Sequence, residues 1–183
     1  MQGTMTMYKE SSQNTKDQIL IALENLLDQK ALSDISVIEI ANICNLSRQT
    51  FYRHFDDVYE LILYLFETKV LGFQSLKITN DFEFACTTSF KCMQKHPKLF
   101  RQIFINEKES IITDHILRWT IRRNMEFIPE KERTKAILYA MEHYWSGYIH
   151  MMKKWIASGM KERPENLGKY VYTTLPDCLK KYY

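Results

Sequence analysis

The sequence is poor in helix breakers and lacks the features of membrane-spanning or secreted chains. Its 183 residues include only 5 glycines and 4 prolines, too few for the many tight turns of a β-sandwich or β-barrel. No apolar run approaches the roughly 18 residues that a membrane span needs, and residues 1–14 lack the apolar core of a signal peptide. We therefore expect a cytoplasmic protein with no membrane partner.

Cysteine and histidine are also sparse, and they form no recognisable metal or catalytic motif. The 4 cysteines include no Cys-x-x-Cys pair, which favours reduced, buried thiols. His143 and His150 can share a helix face, but no third ligand follows at helical spacing. No nucleophile, base and orienting group are grouped in the sequence either. We predict no metal, no cofactor and no enzymatic activity.

Helical periodicity, by contrast, runs from one end of the sequence to the other. Apolar residues recur at intervals of three and four, and capping boxes predict N-caps at Thr15, Ser36, Asp57 and Asn80. The pattern predicts an all-α fold of about nine helices. These helices are expected over residues 15–27, 37–45, 48–55, 58–71, 80–96, 98–105, 110–127, 130–158 and 164–176.

The strongest functional signal is a pair of short helices joined by a tight turn within residues 36–55. Apolar residues fall where two crossing helices pack together, at Ile40, Ile43, Leu46, Phe51 and Phe55. The outer face of the second helix then presents Arg48, Gln49, Tyr52 and Arg53. These side-chain types suit base edges and phosphates, and a unit of this shape places its second helix in the major groove. The pattern favours DNA binding.

The segment SVIEIANICNLSRQTFYRHFDDVYELI resembles the helix-turn-helix signature of the TetR family of transcriptional regulators. The match extends over residues 15–66, and the positions in register are Ile40-Ala41, Leu46-Ser47, Thr50, Phe51-Tyr52, His54-Phe55 and Leu61. The RQTFYRHF run and the Leu-Ile-rich helix after it are most similar to the branch that contains regulators of dihydroxyacetone kinase. Beyond residue 80 the resemblance is architectural only.

The resemblance implies a role for each polar side chain of this segment. Arg48 and Gln49 read base edges, and Arg53 serves bases or phosphates. The side chains expected on phosphates are Ser36, Thr50, Tyr52 and His54. Ser47, at the start of the second helix, completes the predicted DNA-binding surface.

Two positions depart from the family's pattern. In the family a Gly commonly ends the first helix, and here Lys30-Ala31 occupies that position. A Lys that binds a DNA phosphate is common at the position of Val58. Asp56 and Asp57 precede Val58, and we interpret Asp57 as a helix cap. The loss of one phosphate contact predicts weaker and less salt-dependent DNA binding.

The charges are divided unequally along the chain. Residues 1–71 hold 6 basic and 10 acidic side chains, a net charge of −4, whereas residues 72–183 hold 19 and 12, a net charge of +7. DNA binding therefore has to depend on a local surface around Arg48 and Arg53. We expect three parts: a flexible segment over 1–14, a helix-turn-helix domain with a connecting helix over 15–71, and a regulatory and dimerisation domain over 72–183.

The helix predicted over 130–158 has two neighbouring apolar stripes, too wide for a helix that lies on one surface. We expect its own domain to cover one side and a partner subunit the other. The resemblance implies that the last two helices of each subunit form a four-helix dimer interface. The residues predicted there are Trp145, Ile149, Met152, Ile156, Leu167, Tyr170 and Val171.

A ligand cavity among the middle helices is expected because the family usually has one. Its predicted lining is Met93, Phe100, Phe104, Trp119, Met125, Tyr144 and Tyr148. Arg101, Arg118, Arg122 and Arg123 favour an anionic effector, although ordinary exposed arginines on helix faces are the simpler explanation.

Together these patterns predict a homodimeric repressor that binds double-stranded DNA at a near-palindromic operator and is released by a small-molecule effector of unknown identity. A first alternative is a co-regulator with weak DNA affinity that acts through protein contacts, suggested by the acidic N-terminal half and Val58. A second is a small helical metal protein or enzyme built on His143, His150 and the cysteines.

Overall fold

The computed structural model describes residues 2–70, 81–105 and 111–183, and only the backbone of residues 2–12. These residues form ten α-helices and two 3₁₀ turns, and no strand occurs among them. The helices are α1 Gln2–Leu27, α2 Val37–Ile43, α3 Arg48–Tyr52, α4 Val58–Lys69, α5 Phe82–Lys95, α6 Pro97–Phe104, α7 Ile111–Met125, α8 Lys135–Ala157, α9 Pro164–Thr173 and α10 Asp177–Lys180. The expected all-α class is confirmed. No described helix is long and apolar enough to cross a membrane.

Several helices begin at residues other than those predicted. The helix α1 begins at Gln2, so Thr15 lies inside it and is not its N-cap. A 3₁₀ turn over Glu130–Glu132 delays α8, which starts after Thr134, whose hydroxyl accepts the Ile137 N–H at 3.3 Å. Asp81 caps α5 by accepting the Phe84 N–H at 2.8 Å. The predicted cap Asn80 and the predicted helix start Ser110 lie outside the described residues.

The chain divides into two compact units, Met1–Leu65 and Phe66–Tyr183. This division lies six residues before the boundary expected at residue 71, and the three-part organisation itself stays a prediction. The core of the first unit is apolar and draws on its four helices. Its most deeply buried side chains are Ile19, Leu23 and Leu27 of α1, Ile40 of α2, Phe51 of α3, and Leu61, Ile62 and Leu65 of α4.

In the second unit, α9 packs closely along α5. Gly168 of α9 makes this approach possible, because a Cβ at this position would lie 2.9 Å from the Glu83 carbonyl oxygen and would overlap the Thr87 side chain. The long helix α8 packs against α6, α7 and α10. Its buried face follows helical spacing and consists of Met141, Tyr144, Trp145, Ile149, Met152, Trp155 and Ile156.

Candidate nucleic-acid interface

The turn between α2 and α3 is tight, as expected. Asn45 adopts the left-handed conformation, with φ of 54°. The Leu46 N–H bonds to the Ala41 carbonyl at 2.8 Å and the Asn45 N–H to the Asn42 carbonyl at 3.1 Å. This is the Schellman arrangement, which satisfies the last carbonyls of a helix and turns the chain sharply. It fixes where α3 begins relative to α2.

The helix α3 is anchored at its N-terminus by a cap and along one side by aromatic packing. Ser47 Oγ accepts the Thr50 N–H at 3.0 Å, which satisfies one of the free donors of the first turn. Phe51 is completely buried and Phe55 is 2 % exposed, and their ring centroids lie 5.9 Å apart. The inner face of α3 is thereby fixed to the core, as predicted, so its outer face is held in a defined direction.

That outer face brings together four of the residues predicted to bind DNA. Arg48, Gln49, Tyr52 and Arg53 are all exposed. The Arg48 guanidinium lies 5.9 Å from the centroid of the Tyr52 ring, close enough for a cation–π contact. We call this surface of Arg48, Gln49, Tyr52 and Arg53 the recognition face.

The hydroxyl groups predicted to contact phosphates lie at helix starts. Ser36 is exposed and caps α2 by accepting the Glu39 N–H at 3.3 Å. The hydroxyls of Ser47 and Thr50 are hydrogen-bonded to each other at 2.9 Å, with Thr50 half-buried. These side chains stand beside backbone N–H groups of helix first turns, where anions are favoured.

His54 is half-buried next to the recognition face. Partial burial lowers the pKa of its imidazole, and the positive charges of Arg53 and Lys16 lower it further. The ring is therefore neutral at pH 7, and it can offer a phosphate a neutral hydrogen bond but no charge.

Among the residues of this unit whose side chains the structure describes, the unpaired positive charge is concentrated at the two arginines. Lys30 is paired with Glu39 at 2.5 Å, and Lys16 lies over the rings of Phe55 and Tyr64. In the described part of the chain, neither Arg48 nor Arg53 forms an ion pair. Their charges are thus available to an external anion.

The acidic residues before α4 form a helix cap, as predicted for Asp57. Asp57 Oδ1 accepts the Glu60 N–H at 2.7 Å, and Glu60 Oε2 in return accepts the Asp56 N–H at 2.5 Å. Together these two bonds cap the N-terminus of α4, where Val58 is half-buried, in a variant of the capping box in which Glu60 binds the residue before the N-cap. The start of α4 is therefore negatively charged and already capped, which disfavours phosphate there.

One predicted core position of this segment was wrong. Ile43, the last residue of α2, is 49 % exposed, and Ile38 on the same helix is 50 % exposed. Ile40 and Ala41 hold the inner face instead.

The profile of a family described as "Transcriptional regulator C-terminal region" matches residues 80–177, which is more than half of the chain. The chain belongs to the TetR family of transcriptional regulators. No curated protein matches the sequence.

Solved TetR-like structures have the same fold at low sequence identity. "Dihydroxyacetone kinase operon activator DhaS" has a TM-score of 0.55 and 18 % identity over 88 % of this chain and 93 % of that chain. The TetR family repressor AlkX from Dietzia sp. strain DQ12-45-1b, implicated in biodegradation of n-alkanes, has a TM-score of 0.52 and 15 % identity over 90 % and 95 %. The fatty acid degradation regulator FadR from Bacillus halodurans has a TM-score of 0.50 and 16 % identity over 88 % and 94 %. The fold is thus shared by an activator and a repressor.

The predicted TetR-type dimer interface has to be corrected on α8. Trp145, Ile149, Met152 and Ile156 are at most 4 % exposed within one protomer, so they belong to its own core. The large apolar side chains of α8 that are exposed are Leu138, Tyr139 and Met151. The sequence stripes therefore locate the helix's core face, and a different face is left for a partner.

The second half of the predicted interface remains accessible. A surface groove of about 750 Å³ lies along α8 and α9, and Leu167, Tyr170 and Val171 line it together with Gly147 and Met151. Tyr170 is 54 % exposed. Membership of the interface stays a prediction for these residues.

A separate cavity of about 50 Å³ lies inside the C-terminal unit. It is lined by Phe66, Val70, Phe82, Ala85, Cys86, Ser89, Met93, Ile116, Trp119, Thr120, Asn124, Trp145, Tyr148, Ile149 and Met152. Three of the residues predicted to line a ligand cavity, Met93, Trp119 and Tyr148, lie around this cavity, and their role in ligand binding stays a prediction.

The pocket prediction has to be corrected for its other members. Phe104 instead packs its ring on Phe66, and Tyr144 lines the surface groove and donates its hydroxyl to the Val171 carbonyl at 2.5 Å. Phe100 and Met125 are not part of the cavity lining either. The predicted list missed Trp145, Asn124 and Thr120, whose chain positions alone do not place them at one cavity.

The metal alternative gains no support from the described residues. Among them, no group of three His, Cys, Asp or Glu side chains is placed to hold a metal ion. His143 lies on the exposed face of α8, where its ring stacks on Tyr139 with centroids 6.4 Å apart.

Proposed function

We propose that the protein regulates transcription by binding a near-palindromic operator as a homodimer, with α3 of each subunit in the major groove. The observation that carries this proposal is the recognition face. It combines two unpaired arginines, an amide and a phenol on a helix that is held rigid by its cap and by buried Phe51. Arg and Gln in such a setting form bidentate contacts with guanine and adenine.

A dimer is supported by the exposed face of α8. Gly147 lies in the middle of this helix, and nothing within 4 Å would meet a Cβ there. Because glycine costs about 1 kcal/mol relative to alanine in a helix interior, its presence is explained best by the close approach of another chain. A two-fold axis near Gly147 would also supply two recognition faces to one operator.

Regulation by an effector is the second part of the proposal. A ligand that binds the C-terminal cavity more tightly in one conformation would shift the population of DNA-competent dimers. TetR-like regulators bind DNA and dimerise. A ligand-induced change in the dimer would therefore change DNA binding. The repressor role expected from the sequence stays a prediction.

The DNA-binding part is tested with the double variant Arg48→Ala/Tyr52→Ala and fragments selected from the source genome. Both side chains are exposed, so the fold and the dimer should remain intact. Binding should weaken by roughly 30-fold or more, since each specific contact contributes about 1–3 kcal/mol. Arg122→Ala, an exposed arginine of α7, is the matched control and should bind normally. Unchanged affinity of the double variant would overturn the assignment of the recognition face.

The dimer is tested by Gly147→Leu, which places a bulky side chain on the exposed face of α8. Sedimentation should show a shift toward monomer. The control Arg118→Leu places the same apolar side chain at an exposed position of α7 and should leave the dimer unchanged. A Gly147→Leu protein that remains fully dimeric would exclude this face as the interface.

A co-regulator with weak DNA affinity remains the second candidate, favoured by the acidic capping box before Val58. A salt titration separates the two. Specific binding at about 50 mM salt that declines steeply by about 200 mM favours the operator-binding regulator. Absence of any specific complex at the lower salt favours the co-regulator.

A further inference from the structure

The segment that follows α10 places a tyrosine ring among the helices of the C-terminal unit. Tyr183 as a whole is half-buried, but its hydroxyl reaches two of the most deeply buried side chains of the unit. It donates to Asn124 Oδ1 at 2.7 Å and lies 3.9 Å from Met141 Sδ. Asn124 is 1 % exposed and Met141 is 0 % exposed. The phenol end of Tyr183 is therefore its most buried part.

Two aromatic side chains lie against the Tyr183 ring. The ring centroid of Phe82, which is 3 % exposed, lies 4.4 Å from that of Tyr183. The centroid of the half-buried Phe127 ring lies 5.9 Å away. Aromatic rings at such separations attract each other beyond the effect of burial alone. The Tyr183 ring thus occupies an aromatic slot formed by α5 and the end of α7.

The polar groups around the Tyr183 hydroxyl are uncharged. Asn124 Nδ2 donates to the Thr120 carbonyl at 2.9 Å, which leaves Oδ1 to accept the phenol. The Trp145 indole N–H lies beside the phenol oxygen and has no other acceptor in the described part of the chain. Burial raises the pKa of the Tyr183 phenol, and the Trp145 N–H opposes this rise. The site therefore holds a neutral phenol between an amide oxygen and an indole N–H.

The residues just before Tyr183 are attached to the unit through Glu132. Lys181 Nζ is paired with Glu132 Oε2 at 2.6 Å, and the Tyr182 hydroxyl donates to the same oxygen at 2.8 Å. The Lys181 side chain is 60 % exposed, and ion pairs this exposed contribute little to stability. Leu179, by contrast, is completely buried. Residues 180–183 can therefore leave the surface at modest cost while Leu179 stays in the core.

The site of the Tyr183 ring adjoins the cavity of about 50 Å³ described above. Phe82, Asn124 and Trp145 belong to the cavity lining and also contact Tyr183, which is not itself part of the lining. These three side chains separate the tyrosine from the cavity. A change at the Tyr183 site is therefore transmitted directly to the cavity wall.

The surroundings favour an uncharged ligand. No Asp, Glu, Lys, Arg or His belongs to the cavity lining. Arg123, one of the arginines expected to favour an anionic effector, is instead paired with Glu67 and Glu126. An ion that entered would lose its hydration without gaining a counter-charge, which is strongly unfavourable.

We propose that Tyr183 is an internal ligand of this site and that a free, uncharged phenol binds the protein by displacing it. The free phenol takes over the contacts of the tyrosine, since its hydroxyl donates to Asn124 and its ring lies against Phe82 and Phe127. Because like contacts replace like, the ligand has to overcome chiefly the effective concentration of the tethered ring. That concentration is of millimolar order for a short flexible tether.

This inference deepens the effector part of the proposed function and rests on it. Displacement of Tyr183 frees residues 180–183 and alters one wall of the cavity, which is how a phenol would change the conformation of the unit. The tests below use the protein without DNA. Their failure would leave the DNA-binding assignment standing.

The first measurement follows the tyrosine ring resonances of the ¹³C-tyrosine-labelled protein during titration with 4-methylphenol, the analogue of a tyrosine side chain. The Tyr183 resonances, assigned with Tyr183→Phe, should move in a saturable way toward the positions of a solvent-exposed tyrosine. Tyr64 of the N-terminal unit, whose hydroxyl is bonded to Gln13 and Asp17, is the internal control and should not move. Tyr183 resonances that do not respond to millimolar 4-methylphenol would overturn the proposal.

The second measurement compares the affinity for 4-methylphenol of the wild type and of two Tyr183 variants by calorimetry. Tyr183→Ala vacates the site and should bind at least about tenfold more tightly than the wild type, because no tethered ring competes. Tyr183→Phe keeps the ring but loses the hydroxyl, and its affinity should lie between the two. The matched control Tyr172→Ala removes a tyrosine that is 43 % exposed on α9 and should bind like the wild type. Equal affinity of Tyr183→Ala and the wild type would contradict the inference.

Toluene tests the role of the hydroxyl, because it has the same ring and methyl group as 4-methylphenol but no donor for Asn124. It should bind Tyr183→Ala about three- to tenfold more weakly than 4-methylphenol does. Toluene that binds as tightly as 4-methylphenol would show a merely apolar hole and would also overturn the proposal.

Discussion

The two units of the chain place their candidate functional side chains in opposite ways. In the N-terminal unit they are polar, exposed or half-buried, and drawn from fewer than twenty consecutive residues, Ser36 to His54. In the C-terminal unit the cavity is mainly apolar, buried, and assembled from four helices and residues as distant as Phe66 and Met152. The first site depends on local capping and turn geometry, and the second depends on how helices pack. Mutations should therefore separate function from stability in the first unit but not in the second.

The largest expected effect lies inside α3 itself, at two adjacent aromatic residues. Phe51 is fully buried and Tyr52 is 46 % exposed. Phe51→Ala should reduce the free energy of unfolding by about 3–5 kcal/mol through loss of burial and creation of a cavity. Tyr52→Ala should change stability by less than about 0.5 kcal/mol but weaken DNA binding. Urea denaturation measures the stability of both variants, and DNA titration measures their affinity. If Tyr52→Ala were as destabilising as Phe51→Ala, the outer face of α3 would have a structural role and would not be available only for DNA.

The next largest effect compares two helical glycines of the C-terminal unit. Gly168→Ala should lower the free energy of unfolding by about 1–3 kcal/mol, since the new methyl group would press on Glu83 and Thr87 of α5. Gly147→Ala meets open space in the protomer and should stabilise the monomer by up to about 1 kcal/mol. Thermal unfolding of the two variants, at a concentration low enough to keep the protein monomeric, measures these opposite changes in stability. A stabilising Gly168→Ala would contradict the close α5–α9 packing.

A smaller effect is expected on the salt dependence of DNA binding by the N-terminal unit. Val58→Lys restores a cation next to the acidic cap of α4, at a half-buried position from which a lysine can extend to solvent. The slope of log K against log salt should steepen by about 0.9 for one added phosphate contact. Val58→Gln is the uncharged control and should leave the slope unchanged. An unaltered slope for the lysine variant would place the start of α4 away from the phosphates.

The smallest predicted effect is a pH dependence of stability from His54. Its pKa is lowered in the folded protein, chiefly by burial, so the unfolded chain binds a proton more readily. The stability contributed by His54 is therefore fully present above the ordinary pKa of about 6.5 and is lost as pH falls through the lowered value. Urea denaturation at pH 7.5 and near pH 5 should show this loss in the wild type. The loss should be smaller in His54→Gln, and an identical pH dependence would exclude the histidine as its source.

How much the sequence predicts depends on whether a signal is local. Ser36 and Asp57 are helix caps as expected, because each cap is set by neighbours within a few positions. The start of α1 was wrong because nothing in a capping box excludes a helix that continues through it.

The C-terminal site was predicted less well for a physical reason. Periodicity gives the angular position of Trp145 and Ile149 on a helix, but it does not say whether their neighbour is the same chain or a partner. The stripe predicted to face the partner was therefore misassigned, and the place of Trp145 in the cavity lining was not predicted. Such features arise only when distant segments meet.

The central claim is that the recognition face of a dimer reads DNA, and footprinting on a fragment selected from the source genome tests it most directly. We predict two protected half-sites whose centres lie about one helical turn, roughly 34–36 Å, apart. Both should disappear in Arg48→Ala/Tyr52→Ala and persist in Arg122→Ala. Absence of protection by the wild-type protein at about 50 mM salt, or protection that the double variant retains, would contradict the claim.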